Sequence, residues 1–130
     1  MTMSDEFNLV LTDHEGVTVV SFDSPTALDA YHVPETARHL YALVEKHGKR
    51  LLVLDFSQVR MISSQSLGVL LNLQHKLQPL HGRLAIAGLE PKLSRVFKIT
   101  KLESMFPFCP DVAQAVAAVQ KLPADQEETQ

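Results

Sequence analysis

The segment 60–71, RMISSQSLGVLL, places three serine hydroxyls directly before the apolar residues of a predicted helix. Ser63, Ser64 and Ser66 could cap that helix, serve as a nucleophile or accept a phosphate. Serine is strongly preferred at helix N-caps, so capping by Ser63 or Ser64 is the simplest interpretation. A phosphate here would also be held well, because a helix N-terminus presents unpaired N–H groups and a partial positive charge. The residues alone leave both a cap and a phosphorylation switch open.

Catalytic and metal-binding sites have weaker support in the sequence. The serines lack the flanking glycines of a nucleophile elbow, and the chain has no G-x-x-x-x-G-K-[ST] loop for a nucleotide. His32, Glu35 and His39 are spaced as metal ligands on one helix face, but Pro34 places His32 ahead of the regular helix. A solvated helix face is the favoured interpretation there, and Cys109 is interpreted as a small buried apolar residue. We expect no catalytic residues, no metal and no cofactor.

Composition and charge limit the classes of protein to which the chain can belong. Its 130 residues are 45% hydrophobic and 21% charged, which is the balance of one compact domain. The formal charge of −3 comes from acids and bases that alternate along the chain, so neither nucleic acid nor an anionic membrane is an expected partner. The chain has a single cysteine, no signal-peptide pattern at its start and no apolar run of about 20 residues. These features indicate a cytoplasmic protein that does not insert into a membrane.

Hydrophobic periodicity predicts strands that alternate with helices. The predicted elements are hairpin strands at 7–13 and 17–22 with a turn at 14–16, a helix from Val33 to before Gly48, buried strands at 50–56 and 83–89, helices at 66–77 and from Pro91, an edge segment at 105–110 and a closing helix from Asp111. This order predicts an α/β fold with a mostly parallel central sheet of about four to five strands and about four helices. The expected domain spans residues 1–120, and the polar, acidic segment 121–130 is expected to be disordered.

The predicted topology places the serines at one edge of the sheet. Partners of such sheets usually dock at the carboxyl ends of the strands, and the segment 57–66 leaves the carboxyl end of the predicted central strand. Asp29 and Asp55 are expected at strand ends on the same side, where they would flank the serine turn. Each carboxylate has an equally good interpretation as the cap of a turn.

From Leu51 to about Val119 the sequence resembles the STAS family, the anti-sigma-factor antagonist domains of bacteria. The segment LDFSQVRMISSQSLGVLL fits without a gap the family pattern of an apolar strand ending in Asp, followed by Asp-Ser-Ser-Gly-Leu-Gly before a helix. Downstream, GRLAIAGLEPKLSRVFKITKLESMF and DVAQAVAAV are similar to the family's next strand, its Gly-Leu-x-Pro helix start and its closing helix. Upstream, ALD at 27–29 resembles the family's Leu-Asp. The resemblance implies a single STAS-like domain.

The serine segment departs from the family pattern at its centre. The family's acidic residue falls on Ser63, its first serine on Ser64, the serine or threonine that a partner kinase phosphorylates on Gln65, and its glycine on Ser66. Because an amide cannot take a phosphoryl group, a retained switch would need a displaced acceptor, with Ser64, Ser66 and Ser63 as candidates. Alternatively, the donor and acceptor groups of Gln65 would give a permanent hydrogen-bonding surface that is never switched.

The resemblance implies that the activity is binding rather than catalysis. It points to a signalling protein that binds a kinase-like ATPase acting as an anti-sigma factor. The partner surface would comprise Asp29, Ser64, Gln65, Ser66 and Leu67. The alternative is a constitutive STAS scaffold subunit of a stress-signalling or transporter-associated complex. A homodimer is compatible with either reading.

Overall fold

The computed structural model describes residues 9–128, with side chains as far as Gln120. Within these residues the strands are β1 (Leu9–His14), β2 (Val17–Phe22), β3 (Leu51–Asp55), β4 (Arg83–Ala87) and β5 (Phe108–Cys109). The helices are α1 (Val33–Glu45), α2 (Ser64–Leu77), α3 (Pro91–Ile99) and α4 (Val112–Glu128), and a 3-10 turn covers Gln78–Leu80. The predicted single-domain α/β fold is confirmed.

The sheet has the strand order β1-β2-β3-β4-β5. β1 pairs antiparallel with β2, and every later pair of neighbours is parallel. Each parallel pair is joined by one helix, so α1, α2 and α3 are successive crossovers. Crossovers of one hand between strands in sequential order lie on the same face of a sheet. The three helices accordingly share one core, while α4 packs on the opposite face.

Burial on both faces of the sheet explains why the central strand β3 is a nearly unbroken apolar run. Leu52 and Leu54 point into the larger core beneath α1 and α2, whereas Val53 points into the smaller core beneath α4. All three side chains are fully buried. Successive side chains of a strand point to opposite faces, so a strand covered on both sides needs apolar residues at every position. The central placement predicted for this strand is confirmed.

The two ends of the chain fit the sequence predictions as far as they are described. The predicted turn between β1 and β2 is formed by Glu15 and Gly16, with φ angles of 53° and 90°. Residues 7 and 8 of the predicted first strand lie outside the described residues. At the other end, the backbone of α4 is helical to Glu128, which passes the predicted domain boundary at 120. The division into a domain of residues 1–120 and a disordered tail at 121–130 stays a prediction.

β5 is the short edge segment that the sequence predicted. It consists of Phe108 and Cys109, paired parallel with Ile86 and Ala87 of β4. Pro107 precedes the strand and Pro110 follows it, and a proline lacks the N–H group that a longer ladder needs. The prolines therefore limit β5 to the edge of the sheet.

Candidate functional site

The serine turn is held in place by two loops that run side by side at the carboxyl edge of the sheet. The loop after β2 and the loop after β3 meet at an isolated bridge between Leu28 and Ile62. The amides of Arg60 and Met61 donate to the carbonyl of Pro25 at 3.0 and 3.3 Å. These backbone contacts fix the position from which α2 starts.

Ser63 caps α2, as predicted, and the cap is reciprocal. The hydroxyl of Ser63 accepts from the amide of Ser66 at 3.1 Å, and the hydroxyl of Ser66 accepts from the amide of Ser63 at 3.0 Å. Serine thus takes the place that glutamate or glutamine holds in the usual capping box. The predicted helix start at Ser66 is wrong by two residues, because the cap closes the first turn from Ser64 onward.

Burial divides the predicted site residues into accessible and inaccessible groups. The side chain of Ser66 is fully buried, and its hydroxyl also donates to the carbonyl of Ser63 at 2.7 Å. Leu67 is buried in the larger core. Ser63 is half-buried, whereas Ser64 and Gln65 are exposed. Of the five residues predicted to bind a partner, the structure presents Ser64 and Gln65 most openly to solvent.

Two of the first amides of α2 have no hydrogen-bond acceptor among the described residues. Ser66 and Leu67 donate to Ser63, but no acceptor within residues 9–128 takes a hydrogen bond from the amides of Ser64 or Gln65. Two of the N–H groups that a helix N-terminus leaves unpaired are therefore free at the exposed turn. With the helix dipole, they form an electropositive spot beside the two exposed side chains.

Asp29 lies beside the serine turn and also caps a turn of its own. It follows Leu28, whose carbonyl accepts from the amide of Ser63 at 3.2 Å. The Asp29 carboxylate accepts from the backbone amide of His32 at 2.8 Å, and its Oδ1 lies 2.9 Å from the Nδ1 of His32. The hydrogen bond from the His32 amide lowers the pKa of Asp29, and the imidazole adds to the effect. The carboxylate thus stabilises the approach to α1 at the border of the site.

Asp55 has the turn-capping role that the sequence left open. One of its oxygens accepts from the amide of Ser57 at 3.0 Å, and the other accepts from the hydroxyl of Ser21 at 3.4 Å. These bonds stabilise the exit from β3. Asp55 therefore stabilises the start of the loop that carries Ser63, Ser64 and Ser66. Its hydrogen bonds go to Ser21 and Ser57 rather than to those three residues.

Two exposed apolar residues of this region were missed in the sequence. Tyr31 is 84% exposed and Met61 is 51% exposed. They lie on the two loops that the Leu28–Ile62 bridge joins. Neither belongs to a periodic segment, so hydrophobic pattern gave no signal for them. We refer to Tyr31, Met61, Ser64 and Gln65 together as the cap surface.

The described residues contain neither a metal-ligand cluster nor a helix that could span a membrane. Within the described residues, no group of three or more His, Cys, Asp or Glu side chains is arranged to hold a metal ion. His32 precedes α1, as Pro34 predicted, and its imidazole faces Asp29. No helix in the same part of the chain is long and apolar enough to cross a membrane.

Replacing Ser63 with alanine should lower the free energy of unfolding by about 1 to 2 kcal/mol. The change removes the side-chain acceptor for the amide of Ser66, which is buried and cannot turn to water instead. Urea denaturation monitored by circular dichroism measures the loss. Ser64→Ala is the control, since Ser64 is exposed, and it should change stability by less than about 0.5 kcal/mol. Equal losses in the two variants would contradict the capping role.

Comparison with known proteins places this geometry in a family. Residues 8–115 match the family model described as STAS domain. The chain belongs to the STAS domain family. This STAS domain is 37% identical over 79 residues to BtrV of Bordetella bronchiseptica, a protein named as a candidate anti-sigma factor antagonist. The match covers 61% of this chain and 67% of BtrV, and it confirms the resemblance seen in the sequence.

Solved structures share the fold of this STAS domain. A candidate anti-sigma factor antagonist from Thermotoga maritima has a TM-score of 0.80 at 19% identity, over 87% of this chain and 95% of that one. An anti-sigma factor antagonist from Mycobacterium paratuberculosis has a TM-score of 0.76 at 27% identity, over 93% of this chain and 100% of that one. The Thermotoga likeness is one of fold alone. Taken with the family match, the Bordetella and Mycobacterium relatives support a regulatory role for this STAS domain.

Proposed function

We propose that this STAS protein is a non-enzymatic regulator that binds a kinase-like anti-sigma factor through the cap surface, without the family's usual phosphorylation switch. The observation that carries the proposal is the exposed Gln65 at the second residue of α2. In the family pattern this position holds the hydroxyl that the partner kinase phosphorylates. An amide cannot accept a phosphoryl group, so position 65 stays uncharged in the presence of ATP.

The chemistry of the cap surface suits a protein partner. Tyr31 and Met61 are exposed apolar side chains, and both residue types are enriched in protein interfaces. Gln65 offers a donor and an acceptor, and the free amides of Ser64 and Gln65 offer two further donors. An apolar anchor beside a polar helix start provides both contact area and orientation.

Among the serines, Ser64 is the one from which we expect any remaining phosphorylation. The hydroxyl of Ser66 is buried in the cap, and that of Ser63 accepts from the amide of Ser66. A kinase would have to open the first turn of α2 to reach either of them. Ser64 is exposed, and its hydroxyl has no hydrogen-bond partner within residues 9–128. Ser64 is therefore the best candidate for a displaced acceptor.

Co-incubation with ATP and a kinase-like anti-sigma partner tests the proposal. We expect the partner to be captured equally before and after incubation, with no phosphate on Ser63 or Ser66 by mass spectrometry. The variant Tyr31→Ala should weaken capture at least about tenfold, because it removes a large exposed anchor from the surface. Ser64→Ala identifies any effect that depends on phosphate at Ser64.

Failure of all binding to a kinase-like protein would contradict the proposal. Recovery from cells in a transporter-associated or other multi-protein assembly, without such a partner, would favour the alternative of a constitutive STAS scaffold. The cytoplasmic location and the homodimer considered in the sequence analysis stay predictions.

A further inference from the structure

A cleft of about 480 Å³ opens between α3 and β5, outside the cap surface. Its volume falls within the range of about 300 to 1,000 Å³ typical of small-ligand pockets. The cleft lies where β4 and β5 end, because Gly88 directly follows β4 and Cys109 is the last residue of β5. The carboxyl ends of parallel strands are the usual place for ligands in α/β sheets.

The floor of the cleft is apolar. Phe97 of α3 and Phe108 of β5 have ring centroids 5.3 Å apart with an interplanar angle of 74°. Phe97 also packs edge-to-face against the buried ring of Phe106, and this contact holds the Phe97 ring in place. Leu89 extends the apolar lining. Phe97 is only 1% exposed and lies beneath this surface, so the half-buried Phe108 and Leu89 supply its accessible apolar area. A flat ring can pack on Phe108, because edge-to-face and offset contacts with Phe are both favourable.

Three polar side chains lie around this floor without partners of their own. Ser94 and Lys98 are four residues apart on α3 and therefore share a helix face, and Glu103 lines the cleft after α3. None of the three makes a side-chain hydrogen bond or ion pair with another residue in the described part of the chain. Their hydrogen-bonding capacity is thus available to a bound molecule.

The helix α3 beside the cleft is rich in cations, and the cleft lining itself holds one cation, Lys98, and one acid, Glu103. The segment 91–102 contains four cations and no acid, although the whole chain carries a net charge of −3. The cations are Lys92, Arg95, Lys98 and Lys101, all exposed. A local concentration of one sign raises the concentration of oppositely charged ligands near it.

We propose that this cleft binds a small aromatic anion that also carries an N–H donor. The ring lies on Phe108 and Leu89, the anionic group pairs with Lys98, and the N–H donates to Glu103. Aromatic carboxylates and nucleoside monophosphates share this chemistry. The site is independent of the proposed partner binding, since none of its residues belongs to the cap surface.

The reactivity of the Cys109 thiol can be used to detect a ligand in the cleft. It is the single cysteine of the chain and lines the cleft. Burial raises the pKa of its thiol, and the nearby carboxylate of Asp111 raises it further. The thiol is therefore mostly protonated at neutral pH and reacts slowly with iodoacetamide. A ligand in the cleft should slow that reaction further, and intact-mass spectrometry can follow it.

Two probes test the site: indole-3-acetate, which carries a carboxylate, and adenosine monophosphate, which carries a phosphate. We expect at least one probe to shift the amide NMR signals of Gly88, Leu89 and Cys109 and to protect Cys109 from iodoacetamide. The probe that binds more tightly shows whether the cleft prefers a carboxylate or a phosphate. Indole lacks the anion and naphthalene-1-acetate lacks the N–H donor, so each should bind about tenfold more weakly than indole-3-acetate.

A pair of variants on one helix separates charge recognition from unspecific binding. Lys98→Met should weaken binding of the preferred probe about tenfold and leave indole unaffected. Arg95→Met is the matched control, since Arg95 is an exposed cation of the same helix that does not line the cleft, and it should have little effect. The proposal is overturned if neither probe shifts these signals at millimolar concentration, or if Lys98→Met weakens indole as much as the anionic probe.

Discussion

Gln65→Ser is expected to convert ATP-insensitive partner binding into binding that ATP abolishes. The substitution places a hydroxyl at the position that we propose is equivalent to the family's phosphoacceptor. The side chain at this position is exposed, and the free amides of Ser64 and of residue 65 itself lie beside it. A kinase-like partner should therefore find an accessible acceptor that is already oriented by the start of α2.

The expected size of the effect follows from the charge that phosphate adds. A phosphate brings about −1.5 to −2 charges to a surface that is otherwise uncharged. A misplaced charge in an interface costs about 2 kcal/mol or more, which corresponds to at least about thirtyfold in Kd. Capture of the partner with and without ATP measures the change, and mass spectrometry locates the phosphate.

Two controls distinguish the acceptor from other effects of the substitution. Gln65→Asn keeps an amide and should bind the partner regardless of ATP. Ser64→Ala combined with Gln65→Ser should remain sensitive to ATP, because the new hydroxyl is the acceptor. If Gln65→Ser gained no phosphate with a partner that phosphorylates another STAS protein, the proposed equivalence of position 65 would be wrong.

Leu70→Ala should lower the free energy of unfolding by about 3 kcal/mol, which is more than the loss expected for Ser63→Ala. Leu70 is fully buried and packs in the larger core between α2 and the sheet. Truncation removes apolar contact and leaves a cavity that the surrounding strands cannot fill. Small domains have total stabilities of about 5 to 15 kcal/mol, so this is a large share. Urea denaturation and a melting temperature lower by about 10 °C would report it.

The neighbouring leucine provides a matched control for this prediction. Leu71 has the same side chain in the same helix but is only half-buried. Leu71→Ala should cost about 1 kcal/mol, because it removes less apolar surface from contact. Similar losses at both positions would mean that α2 does not pack on the sheet through the face described here.

Local sequence pattern was sufficient to predict the helices and strands and their order along the chain. The nearly unbroken apolar run of β3 identified a central strand, since a strand covered on both faces needs apolar side chains along its length. The prolines around β5 identified an edge. The start of α2 was placed too late, because its cap is a pair of serines that satisfy each other. A reciprocal cap of this kind depends on two side-chain rotamers, and the spacing of apolar residues gives no information about them.

The sequence by itself determined the STAS family pattern and the α/β order, and it led to the proposal that Gln65 stands at the usual acceptor position, because these depend on residue type and spacing along the chain. Only the tertiary structure decided that Ser66 and Leu67 are buried while Ser64 and Gln65 are exposed. It also joined the loops that carry Tyr31 and Met61 at the Leu28–Ile62 bridge and opened the cleft between α3 and β5. Exposure and clefts arise from contacts between segments far apart in the chain, and local periodicity carries no information about such contacts.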